Sequence, residues 1–188
     1  MLENALRFSH TLLKNTVSQG DIVVDATVGN GSDTILLAKL VGSNGKVYGF
    51  DLQQQAIETT TKKLIYTNLH PQVELYQQGH ETVGDIISPD TPISGAVFNL
   101  GYLPKSDKSI ITKSKTTLKA ISTLLPLLRK GALLLIVVYY GHEGGEEEKD
   151  AVLEYVAQLP QKEYSTLKYE FVNQQNHPPF LLAVEKLQ

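Results

Sequence analysis

The sequence contains no cysteine, which excludes disulfides, thiolate nucleophiles and cysteine-based zinc sites. It also lacks any apolar run near the roughly 20 residues that a membrane-crossing helix needs. The longest, ALLLIVVYY at 132–140, suits a strand buried on both faces. The opening MLENALRFSHTLLKN has neither the basic start nor the compact apolar centre of a signal peptide, so a cytoplasmic protein is expected. No excess of positive charge is present: the formal net charge is −3, and no global field invites a polyanion. Internal repeats, low-complexity tracts and long linkers are missing as well. The 188 residues are therefore expected to form one domain, 1–188, around one core. The five histidines share no metal-ligand spacing, and no metal site is expected.

What is present is an alternation of helix and strand periods. Helices are predicted over 2–17, 32–40, 53–67, 115–130 (ended by Gly131) and 146–159 (stopped by Pro160). Strands are predicted over 22–26, 46–50, 73–76, 96–100, 133–139, 169–173 and 180–186. The last two have no helix between them and are joined by NQQNHPP, so they form a hairpin. The order predicts an α/β fold: a Rossmann-like, doubly wound, mostly parallel seven-stranded sheet, helices on both faces, closed by a C-terminal antiparallel hairpin. This layout resembles that of the class I methyltransferases.

The stretch VVDATVGNGSDT, 23–34, puts Asp25 at the first strand's tip and Gly29 and Gly31 in the turn after it. A dinucleotide fingerprint, GxGxxG, needs a third glycine where helix and strand pack closely, and Thr34 stands there instead. Asp33, in the first helical turn, repels a pyrophosphate by roughly 1 kcal/mol or more. The same carboxylate suits S-adenosylmethionine, which has no phosphate and carries a sulfonium and an amino group. An acid followed by glycines four and six residues later resembles the first methyltransferase motif. Asp25, Thr27, Gly29, Asn30, Gly31 and Asp33 are thus candidate cofactor residues. Asp51, at the tip of the second strand, is placed to accept from both ribose hydroxyls, with Gln53 beside it. Asp51 is shared with nicotinamide folds, which stay open as an alternative, as does a glycine turn serving only the fold. After the third strand, QQGHETV offers Gln78, His80 and Glu81 to the adenine, although a lone histidine is as readily a surface residue.

The fourth strand runs into FNLGYLPKSDK. Ligands of parallel sheets sit beyond the strands' carboxyl ends, so Asn99, Leu100, Gly101 and Tyr102 are expected to face the transferable methyl. The segment is similar to the fourth motif of amine-directed methyltransferases, in which an asparagine and nearby carbonyls accept hydrogen bonds from the target nitrogen. Methyl transfer is a direct displacement, and alignment supplies much of its rate. Asn-Leu-Gly-Tyr departs from the usual asparagine, two prolines and aromatic; a turn needing Asn and Gly for its angles explains the same letters. Tyr140 and His142, in YYGHEGGEEE, would line the same rim. His142, the only histidine expected near the chemistry, is a candidate proton acceptor or an ordinary loop histidine. The acids after it complement a helix N-terminus. Five lysines, beginning with Lys105 and Lys108, lie between 105 and 119 against one acid. They suit the phosphates of an anticodon loop, with tyrosines to stack on a splayed base, or simply form a solvated face.

Taken together, DATVGNGSDT, FDLQQQAI, FNLGYLPKSDK and YYGHEGGEEE resemble the small bacterial family labelled putative rRNA methylases. That family includes the enzyme that methylates 5-aminomethyl-2-thiouridine at the tRNA wobble position. The resemblance runs from about residue 22 to residue 186. It implies a class I methyltransferase that uses S-adenosylmethionine, a homodimer, and a tRNA anticodon loop as partner. It also implies a cofactor loop at 27–33, a ribose acid at Asp51 and a catalytic turn at 99–102. The residues by themselves stop at methyl transfer. An rRNA or small-molecule acceptor, or a non-catalytic nucleotide-binding module, remains open.

Overall fold

Alternation along the buried strands divides the apolar side chains between two layers, and this division sets the architecture. The computed structural model describes residues 1–101 and 111–188. In chain order the elements are α1 (Ala5–Thr16), β1 (Ile22–Asp25), α2 (Ser32–Val41), β2 (Lys46–Phe50), α3 (Gln54–Tyr66), β3 (Val73–Tyr76), α4 (Val83–Ile86), β4 (Ile93–Leu100), α5 (Ser114–Leu127), β5 (Leu128–Val138), α6 (Gly145–Ala157), β6 (Tyr164–Tyr169) and β7 (Phe180–Lys186). Val23, Val97, Leu133, Leu135, Val137, Leu181 and Ala183 pack under α1, α2 and α3. Their neighbours Val24, Phe98, Leu134, Ile136, Val138, Leu182 and Val184 pack on the opposite face against α4, α5 and α6. The run at 132–140 carries no polar alternation because both of its faces are covered.

The strands lie in one sheet of order β3-β2-β1-β4-β5-β7-β6. All neighbours are parallel except β7, which runs antiparallel to both β5 and β6. The predicted doubly wound sheet with a terminal hairpin is what the chain forms. Strand order reverses between β1 and β4, and in open α/β sheets the crevice beyond the carboxyl ends at such a point is where ligands bind. No helix among the described residues is long and apolar enough to cross a membrane.

The structure departs from the sequence expectation most at two places, besides the short helix α4 and smaller shifts at element ends. The strand placed at 169–173 is Tyr164–Tyr169, paired from Tyr164↔Lys186 to Tyr169↔Leu181. It lies at the sheet edge and four of its six residues are exposed, so the apolar signal used to place it was weak. Gly131 does not end a helix: α5 stops at Leu127, and Gly131, at φ +76°, lies in a bulge of β5. There the register passes from Ile93↔Leu128 directly to Gly95↔Leu133. Arg129, within that bulge, donates to Ser94 Oγ (2.9 Å) and to the Thr16 carbonyl (3.1 Å), tying β4 and the end of α1 together.

Candidate functional site

Beyond the tips of β1, β2 and β4 a cavity of about 680 Å³ opens. Its floor is the turn from β1 into α2. Gly29 (φ +50°) and Gly31 (φ +78°) take a conformation that side chains disfavour. At Gly31 a Cβ would also come within 2.6 Å of Thr60 Oγ1, so α3 packs close against the turn. Asp51 holds the turn from the β2 side. Its Oδ2 accepts the Gly29 N–H (2.8 Å) and its Oδ1 the Gln53 N–H (2.9 Å). Burial raises the Asp51 carboxyl above its ordinary range, while those two donors pull it back.

Of the expected cofactor residues, Thr27, Gly29, Asn30, Asp33, Asp51, Gln53, Gln78, His80 and Glu81 line the cavity, and Asn99, also a candidate to touch the cofactor, lines it too. Asp25 and Gly31 do not. Asp25 is fully buried beneath the turn, where its carboxylate accepts the Thr34 hydroxyl (2.6 Å) and the Thr27 N–H (3.2 Å). Burial, reinforced by the nearby Asp33 carboxylate, lifts its pKa to about 7. An unfolded chain titrates this carboxyl near 3.8, so the stability it contributes is fully present below that pH and is lost as pH rises through about 7. Asp25→Asn removes this titration. The variant is expected to gain about 2–4 kcal/mol on the wild type between about pH 5 and about pH 8. Denaturant unfolding across that range measures it, and parallel stability curves would refute it.

The catalytic edge is built on the tip of β4. The Asn99 N–H donates to Thr27 Oγ1 (2.7 Å), and its side-chain Nδ2 donates to Asp33 Oδ2 (2.6 Å). The other oxygen of Asp33, which is buried at 5% exposure, meets His10 Nε2 at 2.5 Å. Leu100 and Gly101 line the cavity, whereas Tyr102, Lys105 and Lys108 lie outside the described residues. Gly101 pairs with Thr112 in both directions: its N–H donates to Thr112 Oγ1 (2.9 Å), and the Thr112 N–H donates to its carbonyl (3.0 Å). Tyr140 lines the rim, edge-on to His177 with ring centroids 5.3 Å apart. His142 lines it too, with Nδ1 at the Glu143 carbonyl (3.0 Å) and Nε2 at that of Tyr139 (2.9 Å). It is not the only histidine there, because His80 and His177 share the lining and His10 stands one residue behind it.

His80 is a buried ring rather than a surface one. Its Nδ1 faces the Ala26 carbonyl (3.1 Å), its Nε2 faces Thr117 Oγ1 (3.3 Å), and its edge meets Phe98. Burial lowers its pKa. Thr117 and Thr112 both donate to Glu148, at 2.6 and 2.5 Å. Glu148, from the acidic run opening α6, is therefore an interior anchor joining Thr112, beyond β4, to Thr117 of α5. Its signal was legible but unused: the buried stripe Val152, Val156 of α6, extended back one turn, lands on Glu148. His10 had a similar signal, one turn after Leu6, which also lines the cavity. Tyr139, a further lining residue that was missed, has its phenol pushed up by burial and then by the Asp33 charge.

The chemistry of the lining favours a cationic nucleoside over a dinucleotide. Asp33, Asp51 and Glu81 face it with Lys113 as the one lysine or arginine among the described lining residues, a poor setting for pyrophosphate. S-adenosylmethionine fits that balance, and Asp33, Asp51 and Glu81 are the acceptors available to it. No group of acidic or histidine residues among those described is arranged to hold a metal.

Comparison with known proteins agrees. The family model described as "Putative rRNA methylase" matches residues 47–185. A chloroplastic tRNA (mnm(5)s(2)U34)-methyltransferase of Arabidopsis thaliana is 36% identical over 98% of this chain and 70% of its own. The crystal structure of an rRNA methylase of the same description from Clostridium thermocellum superimposes with a TM-score of 0.97 at 46% identity, covering all of both chains. A methyltransferase from Streptococcus mutans, solved in complex with SAH, gives 0.91 at 42% identity, again over all of both chains. The chain is an S-adenosylmethionine-dependent methyltransferase, and it belongs to the putative rRNA methylase family.

Proposed function

We propose that the acceptor is tRNA and that the chain methylates the amine of 5-aminomethyl-2-thiouridine at the wobble position. The observation that carries this reading is likeness along almost the whole chain, 36% identity over 98% of it, to a protein whose name states that position. Bound S-adenosylmethionine supplies an electrophilic methyl: the N–C bond forms as the C–S bond breaks, its electron pair stays on sulfur, and the methylated amine then releases a proton. The chain's own residues bind and align. Asp51 and the turn around Gly29 hold the nucleoside end, with Glu81 toward the base. Asn99 accepts from the amine, Leu100 and Gly101 line its approach, and Tyr140 and Tyr102 are the aromatic rings offered to the base. Lys113, on the cavity wall, and the lysines Lys105 and Lys108 earlier in the sequence are the cations offered to phosphates. His142 or solvent takes the released proton. We propose a cytoplasmic homodimer, checked by cell fractionation and by mass in solution.

The test is methylation with labelled S-adenosylmethionine of bulk tRNA and rRNA from cells lacking the protein, followed by nucleoside mass spectrometry. One added methyl on 5-aminomethyl-2-thiouridine, with rRNA unlabelled, is the expected result. The family description names rRNA, so labelled rRNA with unlabelled tRNA is the outcome that overturns the reading.

A further inference from the structure

We infer that His10 is a positioning residue for methyl transfer, acting through Asp33 to fix the Asn99 amide with its oxygen toward the acceptor amine. The inference rests on the amine reading above and concerns a residue outside the β-α units that form the cofactor loop.

An ionised carboxylate only accepts, and Asp33 uses one oxygen for Asn99 Nδ2 (2.6 Å) and the other for His10 Nε2 (2.5 Å). Turning the Asn99 amide over would set its oxygen against Asp33 Oδ2, two acceptors face to face, so Asp33 decides which way the amide points. The main chain beneath it is held separately by the Asn99 N–H on Thr27 Oγ1. With Nδ2 engaged and Asn99 on the cavity wall, Oδ1 is the side-chain atom left to accept from an incoming nitrogen.

Asp33 alone cannot set that plane, because a carboxylate held by one oxygen swings about its own axis. His10 holds the second oxygen and clamps it at both ends. His10 is not itself among the lining residues, and it comes from α1, whose Leu6 forms part of the wall. A fixed acceptor favours an amine, which can give one N–H to Oδ1 and keep its lone pair for the methyl. A hydroxyl that gives its only hydrogen to Oδ1 has none left for other alignment.

The test compares His10→Leu with His10→Gln, whose side-chain amide still donates to a carboxylate. His10→Leu is expected to lower kcat about tenfold, with KM for tRNA and affinity for SAH within about twofold, since lost alignment acts on the transition state. His10→Gln is expected to recover most of that rate. A second readout needs no substrate. In free protein labelled with 15N-asparagine, the Asn99 side-chain pair, identified by its loss in Asn99→Asp, should show one strongly hydrogen-bonded proton in the wild type and in His10→Gln but not in His10→Leu. Wild-type kcat and an unchanged Asn99 signal in His10→Leu overturn the inference. So does a fall shared equally by both variants together with their thermal midpoints. If the wild type methylates no tRNA amine, the acceptor reading fails instead, and the asparagine signal still decides whether His10 orients Asn99.

Discussion

Asp51→Ala is expected to weaken S-adenosylmethionine binding by about 100-fold, because it removes both the proposed ribose acceptor and the clasp that shapes the loop. Asp51 accepts the N–H groups of Gly29 and Gln53 at 2.8 and 2.9 Å. Hydrogen bonds to a charged partner contribute about 1.5–3 kcal/mol each, and losing the pair frees a glycine held at φ +50°. The remaining lone pairs of the same two oxygens are what two ribose hydroxyls would find. Asp51→Asn is a sharper probe: its amide nitrogen would face a backbone N–H, donor against donor, so it should bind little better than alanine. Calorimetric titration with SAH measures both variants. Affinity within about threefold of the wild type for Asp51→Asn would remove the carboxylate from the cofactor site.

The fold was legible because its signals are local or periodic. The alternation of β and α and the doubly covered strand at 132–140 settle sheet type, and the missing third glycine argues against a dinucleotide. The carboxylates were visible, Asp51 as an acid at a strand tip and Asp33 in the first helical turn after the glycines. The partners of Asp33 were not, because His10 and Asn99 lie far from it along the chain. Nothing local announces that His10 meets Asp33 or that Glu148 meets Thr112 and Thr117. The histidines were the least readable residues. His80, weighed between the adenine and the surface, is buried at 7% exposure, and His142, weighed between a proton acceptor and an ordinary loop histidine, has both ring nitrogens at backbone carbonyls. Burial and hydrogen-bond partners decide what an imidazole does, and both are properties of the assembled fold. The edge strand β6 was misplaced for a related reason: with four of six residues exposed, its sequence reports solvent more than sheet.

Asn99→Ala separates alignment from binding. It leaves the Thr27 hydroxyl contact in place, since that bond comes from the main chain, and Asp33 keeps His10. The turn around Gly29 is held by Asp51 and is untouched. Cofactor affinity should therefore stay within about threefold, while kcat falls by about 100-fold, a loss of roughly 3 kcal/mol of transition-state alignment. Asn99→Asp should do no better. It would set a second carboxylate beside Asp33, where Nδ2 now sits at 2.6 Å, and two acids that close cannot both stay ionised. One would take up a proton, and the acceptor at the cavity wall would become partly a donor. Stopped single-turnover reactions on tRNA, paired with SAH titrations, give the two quantities independently. Equal loss of rate and cofactor affinity in Asn99→Ala would make Asn99 a part of the cofactor loop rather than of the catalytic edge. Loss of rate alone would place it where the amine is aligned.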